Sequence, residues 1–381
     1  MSSPIPTDEF TSHHTQPGTQ GLLMKMKVFA VMAVAMSAVM LAGAGGAGAS
    51  AGRAVPARWR IVKTVHGTNM PQFLSMAVTS TRSAWAFAQT TGTPAAWRLR
   101  GGAWGQVPFP GRAGEQVLAA GASAADNVWA FGSLPTGSGR ALRWDGTRWA
   151  VARQFSKVIG GGLVLGPGDV WVFGEPYVPG NGLGTWHYHG RSWTRFGSVG
   201  ALTAASALSP DSIWAVGEKT AAHWNGSRWS LTSLASLLPR DTALCHGIAT
   251  AVYAASATSV WAAGAGMCDT VNFGRHPLVL LHFDGTAWRR VLLAYHYGQP
   301  DQVVPDGSGG LWIPVITGFN PPIFTLLHYS GGHLRPVPLP LPGSEIRMTV
   351  AHVPGSTVTF GADTSYLGGI PQQALIFESA G

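Results

Sequence analysis

The chain is predicted to be all-β, a seven-bladed β-propeller of four-stranded blades whose ring closes by pairing the N-terminal strand with the last blade. Three observations predict it. A unit made of a tight Ser/Asp turn, a VWAFG-like run and an aromatic–Asp/Asn–Gly turn ending in Trp recurs at the length of a propeller blade. The long stretches of 3.6-residue periodicity that helical repeats of this length would need are absent. The last copy stops short of its fourth strand, and a segment near the N-terminus matches what is missing.

The clearest copies read DNVWAFG then LRWDGTRW, GDVWVFG then WHYHGRSW, DSIWAVG then AHWNGSRW, and TSVWAAG then LHFDGTAW. The first Trp of each copy falls at Trp85, Trp129, Trp171, Trp214, Trp261 and Trp312, with Val358 in the seventh place. In the second unit, residues 117–123 form a small-residue strand, followed by strands at 127–132, 140–145 and 148–153. Alternating apolar residues bounded by Gly, Asp and Ser support strands there. The Ala- and Gly-rich first strand suits the crowded wall of a central channel, while Trp and Phe further out fill the widening wedge between blades. All 16 Trp fall on strands and read as wedge packing. The C-terminal copy supplies strands at 347–352, 357–361 and 374–377, then ends. Arg58, Trp59, Arg60, Ile61 and Val62 match the absent Trp strand, and pairing the two ends hides two sheet edges.

Only 11% of the 381 residues are charged, and 51 Gly and 26 Pro fit the many turns of an all-β fold. Residues 52–381 are read as one propeller domain. Residues 1–51 read as an N-terminal extension and signal peptide. Lys25 and Lys27 precede an apolar run at 28–41, and Ala47-Gly48-Ala49 or Ala49-Ser50-Ala51 offers a small-residue cleavage site. Met24 is an alternative start. A retained anchor is the alternative to cleavage, but the run is short for a bilayer span, and Ala44 stands where a lipoprotein box requires Cys. The expected location is secreted or cell-wall associated, with no stable membrane anchor after cleavage.

Cys245 and Cys268, the only cysteines, lie in two loops on one face of the fifth unit. In an exported chain they predict a disulfide worth roughly 3 kcal/mol. A metal site built from Cys245, His246, Cys268 and Asp269 is the rival, and its spacing matches no standard zinc pattern. The net charge of +8 suits anionic wall polymers or acidic polysaccharides. The arginines are scattered over many blades, however, and no Lys/Arg run with interleaved aromatics marks a nucleic-acid track.

Loop lengths make the two faces of the ring unlike. Turns 124–127, 209–212, 145–148 and 225–228 are short and alike. The connections 175–184, 233–247, 265–276 and 294–301 are longer and share the other face, where binding usually lives. Asp126, Asp169 and Asp211 recur in one turn and Asp145, Asn225 and Asp284 in another, so they serve backbone geometry. The polar groups that do not repeat on the long-loop face are Glu115, Glu175, Glu218, Asp241, His246, Asp269, His276, His296, Asp301, Glu345 and Asp363. Ligand-binding residues are predicted at Glu175, Tyr177, Glu218, His246, Asp269, Tyr295, His296 and Tyr297. The Tyr295-His296-Tyr297 cluster offers two rings for a sugar face and an imidazole for its hydroxyls; packing down on its own blade is the plainer role. Glu175 and Glu218 follow the second-strand Gly in adjacent units and would suit glycoside hydrolysis if about 5–9 Å apart. Solvated loop carboxylates are common, and no catalytic residue is assigned. No P-loop, HExxH or GxSxG motif occurs, and no cofactor is expected.

The units ending WDGTRW, WNGSRW and FDGTAW, each preceded by VWAFG, IWAVG or VWAAG, resemble tectonin-type and related secreted bacterial propeller repeats over about residues 58–378. The resemblance implies recognition of sugars or microbial surface molecules. The adjacent Asp145-Gly146 and Asp284-Gly285 depart from the sialidase Asp box, which places one residue between Asp and Gly, so sialidase chemistry is not implied. The leading expectation is an exported, non-catalytic, monomeric propeller binding an extracellular glycan, wall polymer or protein through the long-loop face. A polysaccharide-active enzyme using loop carboxylates and a pure protein-interaction scaffold are the alternatives.

Overall fold

The computed structural model describes residues 58–66, 71–174, 183–196, 199, 202–242, 245–268, 276–294, 297–319, 322–340, 344–367 and 370–380. Among these there is no helix; the strands form seven antiparallel sheets whose inner edges follow one another around a ring. From inside to outside, blade 1 is Gln72–Ser80, Ser83–Gln89, Pro94–Arg100 and Ala103–Val107. Blade 2 is Gln116–Ala124, Asn127–Ser133, Gly139–Trp144 and Trp149–Phe155. Blade 3 is Ile159–Gly166, Asp169–Gly174, Thr185–His189 and Ser192–Phe196, and blade 4 is Ala204–Ser209, Ser212–Gly217, Thr220–Trp224 and Trp229–Ser233. Blade 5 is Cys245–Ser256, Ser259–Cys268, Leu278–Phe283 and Trp288–Val291. The second-blade strands fall within two residues of their predicted positions.

Blade 6 departs from the plan. Its innermost strand is broken into Gln299–Pro300 and Val304–Pro305, both paired to Leu311–Phe319, with Pro322–Ser330 and His333–Pro336 outside. The break faces Pro314. Asp301 N–H donates to Pro314 O at 2.9 Å, but Pro314 has no N–H to return, so the ladder lapses there.

Blade 7 consists of Ser344–His352, Thr359–Leu367 and Ile370–Ala380, completed on the outside by Arg58–Val65. The register runs from Arg58 opposite Ala380 to Val65 opposite Ala374, with Trp59 opposite Ser379. Closure by the N-terminal strand is as predicted. The seventh repeat position is not: Phe360, rather than Val358, pairs with both Ala351 and Glu378, the register that the repeat Trp holds elsewhere. Val358 O instead accepts from Val353 N–H at 2.9 Å, closing the preceding turn.

The wedge between blades is filled by one repeated device. The second-strand Trp lies directly opposite a basic or imidazole side chain on the third strand: Trp85 and Arg98, Trp129 and Arg143, Trp171 and His187, Trp214 and His223, Trp261 and His282, Trp312 and His328. The imidazoles stack on their indoles, at 3.9 Å between centroids for Trp171–His187 and 4.2 Å for each of the other three. The guanidinium of Arg98 lies 5.2 Å from the Trp85 ring centre, a cation–π contact. Each imidazole is also tethered. His187 donates to Asp169 and His328 to Asp306, both at 2.8 Å, while His223 and His282 hydrogen-bond with Ser212 and Ser259. Asp169, expected to serve its own turn, therefore orients a wedge histidine.

The ends of the third and fourth strands then cover the Trp of the preceding blade. The cross-strand pairs Trp144/Trp149, Tyr188/Trp193, Trp224/Trp229 and Phe283/Trp288 pack on Trp85, Trp129, Trp171 and Trp214 respectively. Turn geometry supports the arrangement. Asp145 Oδ1 accepts from Thr147 N–H, Thr147 Oγ1 and Arg148 N–H, and Asn225 and Asp284 repeat this pattern. These bonds, led by the Arg148 N–H, pull the Asp145 pKa down to about 2. Within the 160–162 Gly triplet, a side chain at Gly162 would overlap the Phe131 ring of the neighbouring blade.

Candidate binding surfaces

After the second strand of blade 4 the chain makes a two-residue hairpin turn. Gly217 pairs with Thr220, leaving Glu218 and Lys219 at the tip. Glu218 has φ +48°, the only positive value among the described non-glycine residues, and its carbonyl accepts from Ala249 N–H at 2.6 Å. It is an exposed turn residue pinned to the next blade. Beside it, Lys219 Nζ donates to Asp241 Oδ2, Gly247 N–H donates to Asp241 Oδ1 at 3.1 Å, and His246 Nδ1 lies 3.9 Å from the same carboxylate. The Lys219 bond first, and the Gly247 bond second, hold the Asp241 pKa below its ordinary value. Asp241 thus ties the 233–247 connection to blades 4 and 5.

Blade 5 rises above its neighbours on this face. Its two inner strands continue past the expected loop boundaries, so Cys245 and Cys268 lie on strands, directly opposite each other, with His246 opposite Met267. Gly266 N–H donates to Pro277 O at 3.2 Å, Pro277 bridges to Tyr297, and Gly298 N–H donates to His276 O at 2.9 Å. His276 itself is buried, and its Nδ1 bonds Gly266 O. His246 and Tyr297, two predicted residues, both lie at this laced end of blade 5, a crest where the register sets them on opposite faces of the sheet; their exposures are 62% for the His246 side chain and 48% for Tyr297. Glu218 sits at the foot of the same crest through its bond to Ala249. Glu175, Tyr177, Asp269, Tyr295 and His296 lie outside the described residues, as do the signal segment and its cleavage sites. Among the described residues, no group of three His, Cys, Asp or Glu side chains is placed to hold a metal ion.

Three carboxylates expected on the loop face are interior. Glu115 is fully buried and accepts from Arg140 Nη1 at 2.6 Å and Arg112 N–H at 2.9 Å. Arg140 is itself 4% exposed, so this is a buried ion pair between the residue entering blade 2 and the third strand of that blade. Asp301 and Asp363 are also buried. Nothing local in the sequence separates these from solvated loop acids: the Arg140 that pairs with Glu115 is 25 residues away.

The opposite face holds a cleft of about 550 Å³ among the first turns of blades 5, 6 and 7. These turns are not uniformly short, as the sequence had implied. Blade 6 uses Asp306 to Gly310 and blade 7 uses Val353 to Val358. Blade 5 contributes Tyr253, Ala255, Ser259 and Trp261; blade 6 contributes Pro305, Leu311 and bare backbone at Gly307, Gly309 and Gly310; blade 7 contributes His352 and the 355–357 turn. Trp261 is half-buried, whereas the repeat Trp of the other five Trp-bearing blades is buried. Its wedge partners are Tyr329, 5.2 Å away between ring centroids, and Leu334, because blade 6 has Leu where the other blades end in Trp. Asp306 lies beneath. Burial pushes its carboxyl up, but bonds from His328 and from the N–H groups of Ser308 and Gly310 outweigh this and leave its pKa below the ordinary value.

No protein-family model matches the chain, and no curated protein matches it. Solved structures do. The WD40 β-propeller domain of Doa1 covers 84% of this chain and 96% of its own, at 10% identity and a TM-score of 0.53. A structure of YCF48 bound to a D1 peptide covers 86% and 98%, at 13% identity and a TM-score of 0.51. A catalytically inactive virginiamycin B lyase from Staphylococcus aureus with quinupristin covers 85% and 100%, at 9% identity and a TM-score of 0.54. At these identities the likeness is one of fold, and the fold is a β-propeller.

Proposed function

We propose that the chain is an exported, non-catalytic binding propeller of the tectonin-like kind, acting as a monomer. Its ligand is an extracellular glycan, wall polymer or protein held on the long-loop face. The observation that carries this reading is the blade 5 crest. There, exposed His246 and Tyr297 stand on backbone laced through Gly266, Pro277 and Gly298, so an imidazole and a phenol are offered to solvent on a rigid base. The other predicted residues, Glu175, Tyr177, Glu218, Asp269, Tyr295 and His296, belong to the same proposal.

A disulfide between Cys245 and Cys268 belongs to the same proposal. Directly opposed antiparallel residues lie about 4.5–5.5 Å apart at Cα, inside the range a disulfide spans. The test is a glycan and wall-polymer array probed with the mature chain, residues 52–381, and with the double variant His246→Ala/Tyr297→Ala. Saturable binding that weakens at least about ten-fold in the variant supports the reading. Equal binding by both proteins moves the site elsewhere, and binding to no polymer removes the carbohydrate form of the proposal. Free-thiol titration of the unfolded, unreduced chain checks the disulfide, with no reactive thiol expected.

A further inference from the structure

The cleft on the short-turn face has the makings of a binding site distinct from the blade 5 crest. Its volume of about 550 Å³ falls within the range of small-molecule sites. Two of its walls are aromatic. Tyr253 occupies the inner-strand place opposite the repeat Trp, where other blades carry Ala77, Gly121, Leu163, Ser206 and Val304. Trp261, beside it, is the repeat Trp that its own wedge leaves half-covered. On the rest of the rim the exposed Thr357 hydroxyl can both donate and accept, whereas Ser356 donates to Val353 O and accepts from Val358 N–H, leaving one lone pair for a ligand, and Ser259 is bonded to His282. His352 adds an imidazole whose buried Nδ1 has no hydrogen-bond partner. At Gly309 the space a side chain would take is open, so a ligand can approach the backbone closely.

The electrostatics select against negative charge. Burial, and after it the charge of the nearby Asp306 carboxylate, raises the pKa of the Tyr253 phenol. Tyr253 therefore remains a neutral donor, and His352, whose pKa burial lowers, carries little positive charge near neutral pH.

We propose that this cleft binds one neutral sugar ring, a hexopyranoside, with its apolar C–H face against Tyr253 and Trp261 and its hydroxyls on Ser356, Thr357 and His352. An aromatic wall beside the donating and accepting Thr357 hydroxyl and the accepting Ser356 oxygen matches a ring that is apolar on its face and polar around its edge. Charged uronates are disfavoured by Asp306.

The test is a titration of the full chain, labelled with ¹⁵N at indole nitrogens, with methyl hexosides, methyl glucuronide and a Trp-containing tripeptide. The Trp261 resonance is identified by its loss in Trp261→Phe. The expected result is a saturable shift of that resonance with at least one neutral hexoside and binding of the glucuronide weaker by roughly ten-fold. Thr357→Trp, which plugs the mouth from an exposed turn, abolishes the shift, and Tyr253→Phe weakens binding several-fold. His246→Ala/Tyr297→Ala leaves it unchanged, which separates this site from the crest. Three results would overturn the proposal: no hexoside moving the resonance, only the tripeptide moving it, or undiminished hexoside binding by Thr357→Trp. If Thr357→Trp does not fold, unchanged affinity in Tyr253→Phe serves as the overturning result.

Discussion

Truncating Trp59 to Ala is expected to unlatch the ring. The indole is 8% exposed and meets Trp312 and Phe377 edge-on, with ring centroids 5.2 and 5.3 Å away. Truncation of a buried Trp costs about 3–5 kcal/mol. A ring of roughly 320 residues has an unfolding entropy near 0.7 kcal/mol/K, so a loss of about 4 kcal/mol lowers Tm by about 6 °C. Arg60, on the same strand, is the control. Its side chain is 70% exposed and donates to Glu378 through Nε at 2.7 Å. Exposed pairs contribute about 0–1 kcal/mol, so Arg60→Ala shifts Tm by about 1.5 °C or less. Deleting Arg58–Val65 uncovers the whole edge of Ile370–Ala380 and is expected to exceed both. Differential scanning calorimetry of the three variants decides the matter. Equal melting of Trp59→Ala and Arg60→Ala, or an unchanged Tm after the deletion, would refute closure by this strand.

Glu115→Ala strands the Arg140 guanidinium in the interior and is expected to cost about 3–5 kcal/mol in urea unfolding, while Glu115→Leu/Arg140→Met recovers most of it. Gly162→Ala pushes a methyl into the Phe131 ring and is expected to cost about 1–3 kcal/mol by the same assay. Asp145, with its pKa held at about 2, stabilises the fold fully above pH about 4 and loses that contribution as pH falls toward 2. Asp145→Asn should flatten that part of the acid-unfolding curve and leave neutral stability nearly unchanged, since Asn225 makes the same three bonds in blade 4. The wedge imidazoles His223 and His282 act at higher pH. Burial lowers both pKa values, so the unfolded chain takes up protons first and stability declines as pH falls below about 6.5. Serine hydroxyls do not favour the charged ring as a carboxylate would, so Ser212→Asp should reduce that decline in a pH-melting series.

Much of the frame is legible because it is encoded locally and then repeated. The tight turns, the strand alternation and the Trp59 match each need only a short window. The Arg or His opposite every repeat Trp was equally visible, as the basic letter in LRW, WHY, AHW, LHF and LHY, but its meaning depends on cross-strand register. Register also decides Phe360 over Val358, since the seventh copy has neither Trp nor a VWAxG run to align by. The sites are harder to read. Glu115 is buried by an arginine 25 residues away, and the Trp261 cleft exists only where turns from three blades meet. His246 and Tyr297 were found as residues, yet their common crest arises from backbone bonds between four separate segments.

The shared sheet of Arg58–Val65 and Ile370–Ala380 gives the molecule a timetable. The first strand of the ring to emerge in synthesis is the last to be paired, because its partner emerges more than 300 residues later. Until then blade 7 has no outer strand and Trp312 lacks Trp59, leaving an open sheet edge and an uncovered aromatic wedge on the nascent chain. Once latched, Arg58 and Ala380 are neighbours. A short peptide could join them and new ends could be cut into a tight turn between strands, such as the one at Asp145, without changing the order of blades around the axis.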